Sequence, residues 1–165
     1  WDDFLFVGTC FSEDYRNYKT ARTNEYAIEI LKEYFPKKRI IDLDLKKNDK
    51  VPYQGVLHLD CTFNPIGKDK CIIYKDGFVD ESDYQLIIDI FGEENCFHIT
   101  PEEMFEMNPN IFSISPEVVV SDETFTRMND FLRNEWGFTV EEIPYREISK
   151  MGGLLRCSTM PLVRE

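Results

Sequence analysis

The sequence has few of the residues from which metal and redox sites are usually built. Histidine occurs only twice in 165 residues, at His58 and His98, and none of the five cysteines forms a C-x-x-C pair. An odd number of cysteines without that spacing is not typical of zinc ribbons or of secreted disulfide scaffolds. We therefore expect reduced thiols in a cytoplasmic setting, with at most one thiol taking part in chemistry.

Positive charge and long apolar runs are also scarce. There are 19 Lys and Arg against 31 Asp and Glu, a net charge of −12. Such a surface repels phosphate backbones and anionic lipid, which argues against nucleic-acid and membrane partners. No apolar run reaches the ~20 residues of a membrane-spanning helix, and the first residues do not show a basic segment followed by an apolar one.

Apolar and aromatic residues are plentiful enough for a folded core. Hydrophobic residues make up 42% of the chain, including 13 Phe and 8 Tyr. A length of 165 residues fits one domain over 1–165 or the C-terminal part of a larger one. The chain begins at Trp1 without a Met, and the residues after it already form a predicted strand over 4–10. We therefore expect a longer polypeptide upstream.

The pattern of the chain predicts strand–strand–helix–strand units that recur about every 50 residues. Each predicted helix has apolar residues at a 3.6-residue period, and the predicted strands are short apolar runs between turn residues. The predicted helices are 22–35, 83–91 and a third that begins at 122 and ends at 136–137. The predicted strands are 4–10, 39–45, 56–63, 70–74, 95–99, 111–114, 118–120, 138–143 and 154–163.

His58 and Asp60 lie two residues apart in an apolar segment. On a strand their side chains would share one face, which places an imidazole beside a carboxylate. The pair is either a hydrogen bond inside the core or part of a site, and both interpretations stay open. His98 alternates with apolar neighbours and is expected to be structural or exposed.

Cys157 follows Gly152, Gly153 and Arg156 near the end of the chain. Glycines let a backbone approach a ligand closely, and an adjacent Arg draws a thiol toward thiolate. A Cys with a His elsewhere in the chain is a candidate nucleophile and acid–base pair. The alternative is a small buried apolar residue, since that is how free cysteines usually pack.

Asp2 and Asp3 directly precede the first predicted strand. Two acidic residues at such a position are typical of a solvated strand end. The functional alternative is a carboxylate that orients His58 or binds a cationic substrate.

Together, the His58-Leu59-Asp60 motif and the later segment 152–162 resemble the guanidine-modifying superfamily. Arginine deiminases, dimethylarginine dimethylaminohydrolases and amidinotransferases are its members. Asp3-Phe4 resembles the motif that supplies the family's third catalytic carboxylate, and Met107-Asn108 resembles a family Asn at the start of a blade. The resemblance implies an α/β fold, a pentein-like five-bladed propeller of ββαβ units, with about the last three units in this chain.

The resemblance also implies a mechanism without a metal or organic cofactor. Cys157 would attack the guanidinium carbon of arginine or a substituted arginine, and His58 would move the protons. Asp60 would bind the guanidinium, with Asp3 or Asp2 as the third carboxylate. Arg156 would lower the pKa of Cys157 or meet the substrate carboxylate, and Asn108 would help to bind the substrate. The segment around Cys157 is more similar to the deiminases, so hydrolysis is favoured over amidino transfer to an amine.

Two alternatives from other classes stay open. One is a Zn²⁺ site with His58, Asp60 and a cysteine as ligands. The other is a non-catalytic propeller fragment whose open strand edges need a complement. That complement would be an upstream segment, a second chain or another copy in a homodimer.

Overall fold

The computed structural model describes residues 3–11, 15–160 and 162, and the longest of its helices has eleven residues. None of the helices in these ranges is long and apolar enough to cross a membrane. The strands are β1 (Phe4–Thr9), β2 (Arg39–Asp44), β3 (Phe63–Ile66), β4 (Lys70–Ile73), β5 (Cys96–His98), β6 (Phe112–Ser113), β7 (Val118–Asp122) and β8 (Thr139–Ile143). The helices are α1 (Glu25–Tyr34), α2 (Glu81–Phe91), α3 (Pro101–Phe105), α4 (Thr126–Asn134), α5 (Arg146–Ser149) and α6 (Leu155–Ser158).

The strands form three small sheets of similar design. In the orders β3-β4-β5 and β6-β7-β8, the first pair is antiparallel and the second pair is parallel. A helix connects the two parallel strands in each case, as a parallel crossover requires. The remaining sheet pairs β1 with β2 in parallel across α1. The predicted α/β architecture with mixed sheets is therefore confirmed.

Two helices begin at residues whose side chains satisfy free backbone groups, and a glycine ends a third. Asn24 caps α1, because its side-chain oxygen accepts a hydrogen bond of 3.2 Å from the N–H of Ala27. Thr100 and Glu103 form a reciprocal capping box at the start of α3. Gly92 ends α2 with a φ of 84°, a conformation that glycine adopts without steric cost. These local signals fix where α1 and α3 begin and where α2 ends.

The middle sheet lies between two hydrophobic cores. Ile66 and Ile72 pack into the core shared with α4 and the last sheet. Phe63 and Ile73 pack into the other core, with α2 and residues of β2. Successive side chains of a strand point to opposite faces, so one short sheet can serve both cores. The segment that leads into β3 is therefore anchored on both sides.

Two of the predicted strands are wrong in ways that affect the site. Strand β3 begins only at Phe63, and residues 59–61 form a 3₁₀ turn instead of continuing it. The turn is closed by backbone hydrogen bonds to the carbonyls of His58 and Leu59. The predicted strand from Leu154 is a helix, α6, because the side chains of Leu154 and Leu155 are both buried at consecutive positions. Short apolar runs fit a strand and a helix equally well.

Replacing Ile73 tests the importance of the middle sheet. Ile73 is fully buried, so Ile73→Ala is expected to lower the free energy of unfolding by about 2–5 kcal/mol. Urea denaturation of both proteins measures the difference. Ile114→Ala is the matched control, since Ile114 is 61% exposed, and it should change stability by less than about 0.5 kcal/mol. Equal effects of the two substitutions would contradict the assignment of the core.

Candidate active site

His58 and Asp60 lie in the tight turn that precedes β3. His58 has an extended backbone, and its carbonyl accepts a hydrogen bond of 3.1 Å from the N–H of Cys61. The turn itself covers Leu59–Cys61, so Asp60 stands inside it. The two side chains are thus placed by a turn and not by the face of a strand.

Cys157 lies on α6, which the buried side chains of Leu154 and Leu155 hold against the core. Cys157 itself is exposed, whereas Cys10, Cys61, Cys71 and Cys96 are buried. Gly153 allows the backbone before α6 to lie close to the side chain of Cys157, because a Cβ at position 153 would be only 2.8 Å from the Cβ of Cys157. The sequence therefore presents one accessible thiol on a short, anchored helix.

Asn110 connects this helix to the turn that carries Asp60. Its fully buried side chain donates through Nδ2 to Asp60 Oδ2 at 2.7 Å, and the same nitrogen lies 3.4 Å from Cys157 Sγ. Asn110 Oδ1 accepts a hydrogen bond of 3.0 Å from the N–H of Arg156. Cys157 Sγ is 3.9 Å from Asp60 Oδ2. A thiol and a carboxylate that are 97 residues apart in sequence thus meet at one amide.

Asn64 holds the guanidinium of Arg156 in a comparable way. Arg156 Nη1 donates to Asn64 Oδ1 at 2.8 Å, and Asn64 Nδ2 donates to the carbonyls of Pro109 and Ile111 at 2.6 and 3.3 Å. His58, Asp60, Asn64 and Arg156 line one cavity of about 520 Å³. The cavity is therefore lined by an imidazole, a carboxylate and a guanidinium, and the thiol of Cys157 lies close to that carboxylate.

The titrating groups of this region have unequal surroundings. Burial lowers the pKa of His58; the Asp60 carboxylate opposes this shift, and the charges of Arg22 and Lys47 add to it. Burial also raises the pKa of the Cys61 thiol to about 12, so Cys61 is not an activated nucleophile. Asp60 Oδ1 is buried without a hydrogen-bond partner among the described residues. A neutral imidazole and an unsatisfied carboxylate oxygen suit proton transfer and cation binding.

Two of the predicted site residues, Asp3 and Asn108, do not line this cavity. Asp2 lies outside the described residues. Asp3 precedes β1, where its carbonyl accepts a hydrogen bond of 2.8 Å from Arg39, and β1 lines the cavity with Leu5 and Phe6 instead. Asn108 is buried, and its side-chain oxygen has no hydrogen-bond partner in the part of the chain that the structure describes.

Sequence reasoning missed Asn110, which contacts Asp60 and Cys157 and lies two residues after the predicted Asn108. Both asparagines precede the apolar residues that begin the third unit. Nothing local distinguishes the two asparagines, because the partners of Asn110 lie 46–50 residues away in sequence. Within the described ranges, no group of three or more His, Cys, Asp or Glu is arranged to hold a metal ion.

The exposure of the cysteines predicts selective alkylation. Iodoacetamide is expected to modify Cys157 alone in the folded protein, because the other four thiols are buried. Intact mass and peptide mapping measure the number and position of the adducts. Cys157→Ser should then stay unmodified until the protein is unfolded. Equal modification of the buried cysteines under native conditions would contradict this geometry.

The surroundings of His58 predict its titration. We expect its pKa below the usual 6.5, because burial disfavours the imidazolium. Asp60→Asn should lower it further, since the carboxylate is the group that favours the charged form. Two-dimensional NMR titration of the imidazole protons measures both values. A His58 pKa above 6.5, or a rise on Asp60→Asn, would contradict this assignment; His98 provides the internal comparison.

The chain is similar to known proteins over nearly its whole length. It is 29% identical to the protein YkgA of Bacillus subtilis (strain 168) over 164 residues, which cover 99% of this chain and 49% of YkgA. It is 39% identical to the arginine deiminase of Latilactobacillus sakei subsp. sakei (strain 23K) over 67 residues, 41% of this chain and 16% of that enzyme. The chain thus spans at most about half the length of these curated relatives.

Solved structures share the fold. The N-terminal domain of ArgZ, an arginine dihydrolase of cyanobacteria, superposes with a TM-score of 0.74 at 19% identity, covering 94% of this chain and 50% of that domain. SxtG, an amidinotransferase from Microseira wollei, superposes with a TM-score of 0.72 at 18% identity, covering 98% of this chain and 45% of SxtG. These likenesses show that the chain shares the α/β fold of these two proteins over nearly its whole length.

The family itself is shown by a comparison with family models. The arginine deiminase model matches residues 77–164, just over half of the chain, and includes the segment that carries Asn110, Arg156 and Cys157. The guanidine-modifying resemblance noted in the sequence is thereby confirmed, and this protein belongs to the arginine deiminase family.

Proposed function

We propose that this chain supplies the cysteine-bearing part of a guanidine hydrolase that acts on arginine or a substituted arginine. One observation carries the proposal: the exposed Cys157 thiol, the Asp60 carboxylate and the Asn110 amide converge within 3.9 Å. Since the relatives are about twice as long, residues 1–165 are proposed to be the C-terminal part of a five-bladed propeller.

Asp60 is proposed to bind the guanidinium group of the substrate. Its Oδ2 already accepts from Asn110, whereas its buried Oδ1 lacks a partner among the described residues. A guanidinium is planar and presents parallel N–H donors, so it pairs well with a carboxylate. Binding would satisfy Oδ1 and hold the guanidinium carbon close to the thiol of Cys157.

Cys157 and His58 are proposed to carry the chemistry. The Cys157 sulfur attacks the guanidinium carbon and forms an S–C bond, while His58 takes the thiol proton. The C–N bond to the leaving amine then breaks, and His58 returns that proton to the departing nitrogen. Water next attacks the amidino–thioether carbon and gives one proton to His58, the C–S bond breaks as the ureido carbonyl forms, and the second water proton is released to solvent. His58 then returns its proton to the Cys157 thiolate. The products from arginine are a ureido amino acid and ammonia.

Arg156 is proposed to hold the opposite end of the substrate. Its guanidinium faces the cavity that His58 and Asp60 line, and the bond to Asn64 fixes its position. A substrate that is cationic at one end and a carboxylate at the other would match Asp60 and Arg156 together. The match of residues 77–164 to the arginine deiminase model supports water, and not a second amine, as the acceptor.

Turnover of arginine tests this function. The protein is expected to release ammonia and form the ureido product, and Cys157→Ser should lower kcat/KM about 1,000-fold or more. Asp60→Asn should lower it about 100-fold or more, because it removes the charge that binds the guanidinium. Asp89→Asn replaces an exposed carboxylate on α2 and is the control.

The identity of the products decides among the alternatives. Arginine and its dimethylated form are supplied in parallel, and the released amine is identified in each case by mass spectrometry. Ammonia from arginine supports a deiminase, whereas dimethylamine from the substituted form supports a dimethylaminohydrolase. Ornithine together with an amidinated acceptor would indicate transfer and overturn hydrolysis. Absence of turnover with either substrate, or full activity of Cys157→Ser, would overturn the whole proposal.

A further inference from the structure

Lys47 contacts the backbone that leads directly to His58. Its Nζ donates hydrogen bonds to the carbonyls of Val56 and Leu57, both at 2.9 Å. Leu57 is the residue before His58, and Val56 is only 3% exposed. The lysine itself is half-buried. An ammonium that reaches two consecutive carbonyls in such a place constrains the path of the chain.

The segment before His58 makes few other hydrogen bonds among the described residues, although Val56 packs into a hydrophobic core. It belongs to no described strand, and the N–H of Val56 bonds to the carbonyl of Lys46, the neighbour of Lys47. Hydrogen bonds from a charged donor are stronger than neutral ones, and a lysine has three N–H donors to share. The two bonds from Lys47 therefore fix the direction in which the chain enters His58.

Lys47 also contributes to the electrostatic surroundings of His58. Lys47, Arg22 and His58 line one further cavity of about 250 Å³. Of the charged groups that act on the imidazole, Asp60 favours the imidazolium, whereas Arg22 and Lys47 disfavour it. Burial lowers the pKa of Lys47, and the groups that oppose this shift are Cys10, Cys61, Asp49 and Asp44.

We propose that Lys47 is a positioning residue for His58, which it orients through the carbonyls of Val56 and Leu57. The positive charge of Lys47 has a second and smaller effect, since it adds to the burial that disfavours the imidazolium. The consequence for turnover rests on the proposed function. The effect on the imidazole itself does not, so the two are tested separately.

Four variants of the chain separate position from charge. Lys47→Met removes the charge and the donors, Lys47→Gln keeps an N–H donor without the charge, and Lys47→Arg keeps both. Lys46→Met is the matched control, because Lys46 is exposed and its hydrogen bonds to Gly77 and Val56 are made by its backbone. The measurements are the NMR titration of His58 and, with the best guanidine substrate, kcat and KM.

Lys47→Met and Lys47→Gln are expected to raise the pKa of His58, because both remove a positive charge that disfavours the imidazolium. Lys47→Met should lower kcat about 10-fold or more with KM changed less than about threefold, as expected when a catalytic group is misplaced. Lys47→Arg should restore kcat to within about threefold, and Lys46→Met should match the wild type. If Lys47→Met does not fold, Lys47→Gln takes its place in both measurements.

The role of Lys47 would be overturned if Lys47→Met and Lys47→Gln leave the pKa of His58 unchanged and have the same kcat and KM as the Lys46→Met control. An increase in KM with unchanged kcat would also overturn it, since that change indicates a role in substrate binding instead of positioning. If the wild type turns over no guanidine, the proposed function fails, and the titration of His58 still decides whether Lys47 acts on the imidazole.

Discussion

The amide of Asn110 is buried, and a buried amide must satisfy both its oxygen and its nitrogen. An unpaired polar group in the interior costs about 1–3 kcal/mol, so this requirement constrains the neighbouring chain. The oxygen accepts from the N–H of Arg156, and the nitrogen donates to Asp60. The side chain of Asn110 therefore ties α6 to the turn before β3, and the Arg156–Asn64 hydrogen bond adds a second link between α6 and β3. These links hold Cys157 close to Asp60.

The two hydrophobic cores explain why this link can be precise. The middle sheet is packed on both faces, and α6 is anchored by two buried leucines. Groups on such rigid supports cannot relax to satisfy each other fully, and Asp60 Oδ1 remains without a described partner. Proteins depart from complete internal satisfaction mainly at functional sites. The unsatisfied oxygen is thus consistent with a place kept for a cationic group.

Charge is distributed unevenly around this region. The chain as a whole carries a net charge of −12, which attracts cations over distance. Close to His58, however, the basic side chains of Arg22 and Lys47 oppose protonation, and Asp60 favours it. The long-range field and the local one therefore serve different steps. The first would favour approach of the proposed cationic substrate, and the second acts with burial on the pKa of the imidazole.

The sequence by itself was sufficient to predict the repeated strand–strand–helix–strand units and to name the candidate site residues His58, Asp60, Arg156 and Cys157. Those features depend on periodicity, on caps and on residue types at short spacing, which are local properties. Tertiary structure alone decided that Asn110 joins the site, that His58 precedes a turn, and that a helix carries the cysteine. The reason is physical: hydrogen bonds across 46–50 residues and burial against a shared core leave no periodic trace in the sequence.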